Sequence, residues 1–218
     1  LQSKPSAGTH VAVVTTTGGG AAMVVDKLGA AGLNLVSAPE RLREELTKFG
    51  LNLGKGRLID LTMAGTRKGV YKDALEVLLN DDDIDAVIAV VGSSGQFHPE
   101  LAVAPIIEAS KTGKPLAAFI APDAPGSLER LAAADVAAFR TPEACADGIR
   151  GLLAWRAPVK VPEISELSPV VQKQLKLAHG PDLAETMGLE LMKALGISTL
   201  QTFFISEPKA DIPPNLPY

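Results

Sequence analysis

Three consecutive glycines join a short apolar strand, predicted over residues 11–15, to a helix predicted over residues 20–31. A glycine turn directs backbone N–H groups outward, and the positive end of the helix dipole adds about 0.3–2 kcal/mol toward an anion. The sequence therefore predicts an anion site, with a plain tight turn as the alternative. The residues assigned to this site are Thr17, Gly18, Gly19, Gly20 and Ala21.

The residues around this turn exclude several common anions. Met23 stands where a dinucleotide fingerprint has its third glycine, and residues 33–37, at the end of the second strand, contain no acid. A nucleoside-triphosphate loop needs Gly-Lys-Ser/Thr, which is absent, and 4% aromatic residues leave little to hold a flavin. Receiver-domain chemistry requires acidic residues at the end of the first strand, and this sequence has none there. The candidate ligand that remains is a phosphate or phosphoryl group held by backbone N–H groups.

A second polar segment follows the predicted strand 85–91 and comprises Gly92, Ser93, Ser94 and Gly95. The carboxyl ends of parallel strands meet at one edge of a sheet, so we expect this segment near the glycine turn. Its hydroxyls and amides suit a carboxylate or a phosphate, and a flexible loop is an equal alternative. Asp60 also ends a strand (58–61), and loop support is favoured over a ligand contact.

The remaining reactive residues are scattered. His10, His98 and His179 have no ligand spacing with an acid, so no metal site is expected. His98 is the one candidate general base, and a structural role is favoured for it. Cys145 is the single cysteine, which excludes an intramolecular disulfide and a multi-cysteine metal site; we expect it in the core.

Composition describes a soluble globular protein of 218 residues, 46% hydrophobic and 21% charged, with a net charge of −4. That charge argues against a nucleic-acid partner. No apolar run reaches the roughly 18 residues that span a bilayer, so no membrane association is expected. A cytoplasmic location follows as an expectation.

Short apolar runs alternate with helical patterns up to Trp155, which is typical of a parallel sheet covered on both faces. We predict an α/β fold, a five- or six-stranded doubly wound sheet of the Rossmann or flavodoxin type. Glycines at helix exits support it: Gly32, Gly50 and Gly113. The other predicted strands are 33–36, 115–120 and 136–139, and the other helices are 39–49, 71–79, 99–110, 127–133 and 142–155.

The composition changes after Trp155, where half of the 16 prolines lie. We predict an α/β domain over 8–155, a linker with a helix over 156–180, and the truncated start of another domain over 181–218. The tail patterns indicate helices at 168–178 and 182–194 and a strand at 199–205, with Gly196 as a helix C-cap. An unfinished tail and the absence of an initiator Met suggest a fragment.

Residues 8–155 resemble the C-terminal flavodoxin-like domain of NDP-forming (ADP-forming) acyl-CoA synthetases, relatives of the succinyl-CoA synthetase β subunit. Residues 185–198 resemble the first helix of an ATP-grasp domain. Leu58-Ile59 replaces the Asn-Pro that often precedes this Asp in the family. The matching segments are 11–20, 60–62, 71–81, 84–88 and 141–144.

The resemblance implies an enzyme that converts an acid, CoA and ATP to acyl-CoA, ADP and phosphate through a phosphohistidine. It implies that the glycine-started helix faces that phosphohistidine and that the Gly92–Gly95 segment lies near a small carboxylic acid substrate. The family's Ser-His-Thr-Gly segment is absent here, so no catalytic residue is assigned. The implied partners are a CoA-binding phosphohistidine domain and an ATP-grasp domain; a homo-oligomer is left open.

The complete enzyme would use ATP or ADP with Mg, and CoA, with no cofactor bound covalently by this chain, which alone is expected to be inactive. Two alternatives remain. The first is a non-ligase relative, a sensor or acetyltransferase that uses the same domain for ligand binding. The second is a phosphate- or nucleotide-binding α/β oxidoreductase.

Overall fold

A computed structural model describes residues 8–67, 69–160, 166–177 and 183–200 of the chain. The chain divides into two compact units, with the boundary between Ala157 and Pro158. Every strand of the described residues belongs to the first unit.

The first unit contains one sheet of six parallel strands. They are β1 (His10–Thr15), β2 (Asn34–Leu35), β3 (Leu58–Asp60), β4 (Ala86–Val91), β5 (Leu116–Ile120) and β6 (Ala137–Phe139). Their order is β2-β1-β4-β5-β6, and β3 also pairs with β1. One edge of β1 pairs with β4 over residues 11–15. The other edge is divided between β2, beside His10 and Val11, and β3, beside residues 13–15.

Helices cover both faces of the sheet. They are α1 (Gly18–Ala30), α2 (Glu40–Thr47), α3 (Val70–Leu79), α4 (Ser94–Phe97), α5 (Pro99–Ala109), α6 (Pro125–Ala133) and α7 (Pro142–Ala154), with 3-10 turns at Thr62–Thr66 and Ser110–Thr112. Buried residues of α1 and α7 form the core on one face, and those of α2, α3, α5 and α6 form it on the other. The predicted α/β fold with a parallel sheet is confirmed.

The strands form because their residues are apolar on both sides. Every residue of β4 and β5 is buried, as expected where helices cover both faces of a parallel sheet. Complete burial of a large side chain such as Leu28 or Phe119 contributes about 1.5–3 kcal/mol. The two middle strands are therefore a rigid support for the loops that leave them.

Tyr71, in α3, ties β4 to its other neighbour, β1. Its buried hydroxyl is 3.4 Å from the carbonyl oxygen of Val14 in β1 and 3.4 Å from that of Val90 in β4. Burial raises the pKa of Tyr71, so the hydroxyl keeps the proton that it donates. The contact lies one residue before each strand ends, close to the two glycine segments, which are residues 18–20 and 92–95.

The predicted role of three glycines in ending helices is confirmed. Gly32, Gly50 and Gly113 have φ angles of +81°, +75° and +82°, a left-handed conformation that residues with a Cβ rarely adopt. Each therefore stops its helix and returns the chain to the sheet.

The second unit contains two helices among its described residues, α8 (Pro169–Leu177) and α9 (Glu185–Ala194). The Gln174 amide donates to the Glu190 carboxylate at 3.2 Å and joins them. Gly196, with a φ of +79°, follows α9 as predicted. Residues 199 and 200 are not in a strand, and the rest of the predicted strand 199–205 lies outside the described residues. The linker and ATP-grasp assignments remain predictions.

No helix in the described ranges is long and apolar enough to cross a membrane.

Cys145 is fully buried in α7, as expected, and burial raises the pKa of its thiol to about 12. Because the thiolate is the reactive form, a higher pKa leaves less of it at a given pH. We expect a disulfide reagent at pH 8 to modify the native protein on the order of a thousandfold more slowly than the protein unfolded in guanidinium. Absorbance of the released thiol measures both rates. Rapid, stoichiometric modification of the native protein would contradict the buried position.

Candidate functional site

Four strands deliver their following loops to one edge of the sheet. How closely these loops approach each other is measured by the distance from a Cβ atom, placed on each glycine, to the nearest atoms. A Cβ on Gly92, after β4, would lie 2.9 Å from the Thr17 Cβ, after β1. A Cβ on Gly18 would lie 3.2 Å from the Oδ2 of Asp60, the last residue of β3. A Cβ on Gly20 would lie 3.6 Å from the Cβ of Ala121, which follows β5. The structure thus brings together the glycine turn, Asp60 and the Gly92 segment.

The turn between β1 and α1 is held by the buried side chain of Thr15. Its Oγ1 accepts a hydrogen bond from the Thr17 N–H at 2.9 Å and donates to the Thr17 carbonyl at 2.9 Å. Both polar groups of the Thr17 backbone are therefore bound to one hydroxyl, which fixes the last residue before the helix. Sequence analysis missed this role; a hydroxyl residue that ends an apolar strand is the signal that could have shown it.

The helix begins at Gly18, two residues before its predicted start at Gly20. The expectation that the glycines form the turn is wrong. Thr16 and Thr17 form it, and none of the three glycines has a positive φ, so all three belong to the first helical turn. In the described part of the chain, neither a side chain nor a carbonyl accepts a hydrogen bond from their three N–H groups.

Ala21 differs from the glycines before it. Its N–H donates to the Thr17 carbonyl at 3.3 Å, which closes the first helical turn, and its side chain is fully buried. The amides offered by this helix start are therefore those of Gly18, Gly19 and Gly20.

Nothing in the protein's own packing requires a glycine at position 19. A Cβ there would meet no atom within 4 Å, and the backbone conformation is one that any residue adopts. Glycine lowers helix stability by up to about 1 kcal/mol relative to alanine. An open space beside three unpaired N–H groups at the positive end of a helix is instead what a bound anion requires.

Asp60 supports the neighbouring loop. Its Oδ1 accepts a hydrogen bond from the Thr62 N–H at 2.8 Å, and Thr62 has the unusual φ of +52°. Such left-handed residues need a local partner to offset their strain. The other carboxylate oxygen points toward Gly18 and places a negative charge beside the start of α1.

The Gly92 segment is not the loop that the sequence indicates. Ser94–Phe97 forms the one-turn helix α4, and Ser93 is exposed at its start. Only Gly92 and Ser93 of the predicted segment lie outside this helix. The buried Ser127 hydroxyl of α6 donates to the Gly95 carbonyl at 2.7 Å, and the Gln96 amide donates to the Asp123 carbonyl at 2.8 Å. Two distant side-chain contacts thus hold a segment that has little helical pattern of its own.

The three histidines lie in different parts of the chain, and the two that the structure describes, His10 and His98, do not come together. His10 begins β1 at the opposite edge, where its Nδ1 is 3.6 Å from the Asp85 carboxylate. His98 is exposed and precedes α5. His179 lies outside the described ranges. The described residues contain no cluster of His, Cys, Asp and Glu able to hold a metal ion.

Large apolar side chains are exposed in the elements that line the site edge. Met63, in the 3-10 turn after β3, is 76% exposed, and Phe97, at the end of α4, is 74% exposed. Leu101 at the start of α5 and Met23 in α1 are also exposed. Sequence analysis did not find this feature, because apolar residues in helical patterns are ordinarily assigned to the core.

Comparison with protein-family models and with curated proteins finds no match. Solved structures do match. The protein PH0766 from Pyrococcus horikoshii OT3 is 25% identical, with a TM-score of 0.62 over 70% of this chain and 37% of that one. A dinucleotide-forming acetyl-coenzyme A synthetase 1 of Ca. Korarchaeum cryptofilum, in complex with phosphate and ADP, is 24% identical, with a TM-score of 0.58 over 69% of this chain and 34% of that one.

The chain shares its fold with part of an acetyl-coenzyme A synthetase. The apo form of the same synthetase matches similarly, at 23% identity and a TM-score of 0.57. The predicted resemblance to NDP-forming acyl-CoA synthetases is thereby confirmed in the fold. This chain spans 34–37% of the length of these three structures.

Gly19→Ala tests whether the open space beside the helix start is used by a ligand. Because the Cβ meets nothing within the protein, we expect the free energy of unfolding in urea to stay the same or to rise by up to about 1 kcal/mol. Phosphate affinity, measured by NMR titration, should fall about tenfold, since the methyl group blocks an amide–anion hydrogen bond. Gly29→Ala, also in α1 with nothing within 4 Å, is the matched control and should leave the affinity unchanged. Equal affinities for the two variants would contradict the site.

Asp60→Asn tests the electrostatics of the same helix start. The amide oxygen can still accept from the Thr62 N–H, so the loop is kept while the negative charge is removed. We expect phosphate to bind about two- to fivefold more tightly and the free energy of unfolding to fall by about 0.3–1 kcal/mol. Asp26→Asn removes an exposed charge farther along α1 and should change affinity little. Weaker phosphate binding by Asp60→Asn would show that the carboxylate does not repel the ligand.

Proposed function

We propose that this chain is part of an NDP-forming acyl-CoA synthetase, which converts a carboxylic acid, CoA and ATP to acyl-CoA, ADP and phosphate. The phosphoryl group would travel on a histidine supplied by another domain. In this proposal the Gly18, Gly19 and Gly20 amides bind the phosphoryl oxygens. The observation that carries it is the set of three unpaired N–H groups beside open space at the start of α1.

The chemistry of the helix start suits a phosphoryl group. Its amides are fixed donors, and the helix dipole adds a partial positive charge without a mobile side chain. Such donors bind a transferring group without reorganisation when its charge increases. The fold likeness to part of a synthetase that was solved in complex with phosphate and ADP supports a phosphoryl-transfer role for the complete protein.

The Gly92 segment is proposed to lie beside the acid substrate. Ser93 is exposed next to Gly92, and Gly92 contacts Thr17, so a carboxylate there would be adjacent to the phosphoryl group. Formation of an acyl phosphate needs the carboxylate and the phosphoryl group to be adjacent in this way.

The nucleotide and CoA are proposed to bind to other domains. Among the described residues, no group of three or more His, Cys, Asp and Glu side chains is placed to hold a metal ion, and we assign Mg–ATP to the ATP-grasp domain that the resemblance implies. The exposed apolar side chains of Met63 and Phe97, at the site edge, support the idea that another domain covers this edge. The partners proposed are a phosphohistidine and CoA-binding domain and an ATP-grasp domain.

Titration of the glycine-labelled chain followed by ¹⁵N NMR tests the phosphoryl site. We expect inorganic phosphate to shift the Gly18, Gly19 and Gly20 amide signals. A peptide that carries a stable phosphohistidine analogue should shift the same signals and compete with phosphate, because the backbone amides recognise the phosphoryl oxygens that both ligands share.

The unphosphorylated peptide is the control and should shift none of them. Shifts confined to Gly54 and Gly56, which flank the exposed Lys55, would indicate simple attraction to surface charge and would contradict the proposal.

A further inference from the structure

The described residues bury two polar side chains completely, Thr15 and Ser127. Each is a hydroxyl that binds the backbone of one glycine segment: Thr15 binds Thr17 before α1, and Ser127 binds Gly95 within α4. A buried polar group lowers stability unless it is hydrogen-bonded, so its position in the core needs a reason. The two partners of these hydroxyls are the two segments of the candidate site.

The contact of Ser127 with α4 is tightly fitted. Its Oγ donates to the Gly95 carbonyl at 2.7 Å, and a Cβ on Gly95 would lie only 3.1 Å from that Oγ and 3.0 Å from the Val91 Cγ1. The absence of a side chain at Gly95 therefore lets α4 approach α6. A second bond, from the Gln96 amide to the Asp123 carbonyl at 2.8 Å, ties the next residue to the loop before α6.

A helix as short as α4 depends on such tethers. It has four residues, and nucleation makes isolated helices of fewer than about 12 residues unstable in water. Its end is exposed, since Phe97 is turned toward solvent. The hydrogen bond from Ser127 is consequently a large part of what fixes its position.

The position of α4 affects the start of α1 through the contact between Gly92 and Thr17. Gly92 is buried against Thr17, where a Cβ would come within 2.9 Å of the Thr17 Cβ and Cγ2. Thr17 is the last residue before the three free amides. A shift of the segment from Gly92 to α4 therefore moves an atom that borders the anion site.

We propose that Ser127 is a positioning residue: its hydroxyl fixes α4, and through the contact of Gly92 with Thr17 it sets the geometry of the helix start at Gly18. The first half of this inference stands on the contacts of α4 alone. The second half rests on the proposed phosphate site. Ser127 itself contacts no ligand in this arrangement.

Ser127→Ala and amide hydrogen exchange test the first half. The N–H groups of Gln96, Phe97 and His98 donate within the turn of α4, to the carbonyls of Ser93 and Ser94, and report its opening. We expect the exchange rates of these three amides to be about fivefold higher in the variant than in the native protein, beyond any increase caused by lower global stability. This is the effect of losing one hydrogen bond. Unchanged exchange at these amides would overturn the inference.

Ser110→Ala is the matched control. Its hydroxyl also donates to a backbone carbonyl, that of Ile107 at 2.8 Å, but at the far end of α5. It should leave exchange in α4 unchanged; equal quickening by both variants would overturn a specific role of Ser127. If Ser127→Ala does not fold, Ser127→Cys keeps the volume and weakens the bond, and the same exchange measurement decides.

Phosphate affinity at the Gly18, Gly19 and Gly20 amides tests the second half. We expect Ser127→Ala to weaken it about two- to fivefold and Ser110→Ala to leave it unchanged. Quickened exchange with unchanged affinity would overturn the coupling to α1. If the native chain binds no phosphate at these amides, the proposed function fails, whereas faster exchange in α4 would still support the role of Ser127 in holding it.

Discussion

The close approach of Gly92 to Thr17 is the contact on which the candidate site depends. It exists because β1 and β4 are neighbouring parallel strands that end at the same level, so the residues that follow them meet. A side chain at Gly92 would force the two segments apart, since its Cβ would be 2.9 Å from the Thr17 Cβ. The pairing of β1 with β4 thus decides where α1 begins relative to α4. Tyr71, which contacts the ends of both strands, strengthens the same junction.

The glycines around this junction serve different purposes. Gly92 and Gly95 are required by the protein's own packing, because a Cβ at either position would contact Thr17, Val91 or Ser127 too closely. Gly19 is not required by packing or by backbone conformation. In the proposed function, the glycine at position 19 leaves room for an anion that approaches the three N–H groups from outside.

The parallel sheet and its helices could be predicted from sequence because they follow from local patterns. β4 and β5 are apolar at every residue, and Gly32, Gly50 and Gly113 mark the helix exits. Strand order could not be predicted, since it depends on contacts between residues far apart in the chain. The division of one edge of β1 between β2 and β3 is of this kind.

The candidate site could be placed on the correct edge but not built from sequence. The start of α1 was assigned two residues late because the bonds of Thr15 to Thr17, not the glycines, define the turn. α4 was missed because its four residues carry too little pattern and depend on Ser127, 32 positions from Gly95. The sequence places Asp60 at the end of its strand, as the structure does, but its approach to Gly18 follows from the pairing of β1 with β3.

The central claim is that the three free amides of α1 hold a phosphoryl group, and a crystal structure of this chain grown with tungstate tests it most directly. Tungstate has the charge and tetrahedral shape of phosphate, and its metal gives a strong anomalous signal. The account predicts an anomalous peak whose oxygens lie about 3 Å from the Gly18, Gly19 and Gly20 nitrogens. A fully occupied peak elsewhere, with none at this helix start, would contradict it.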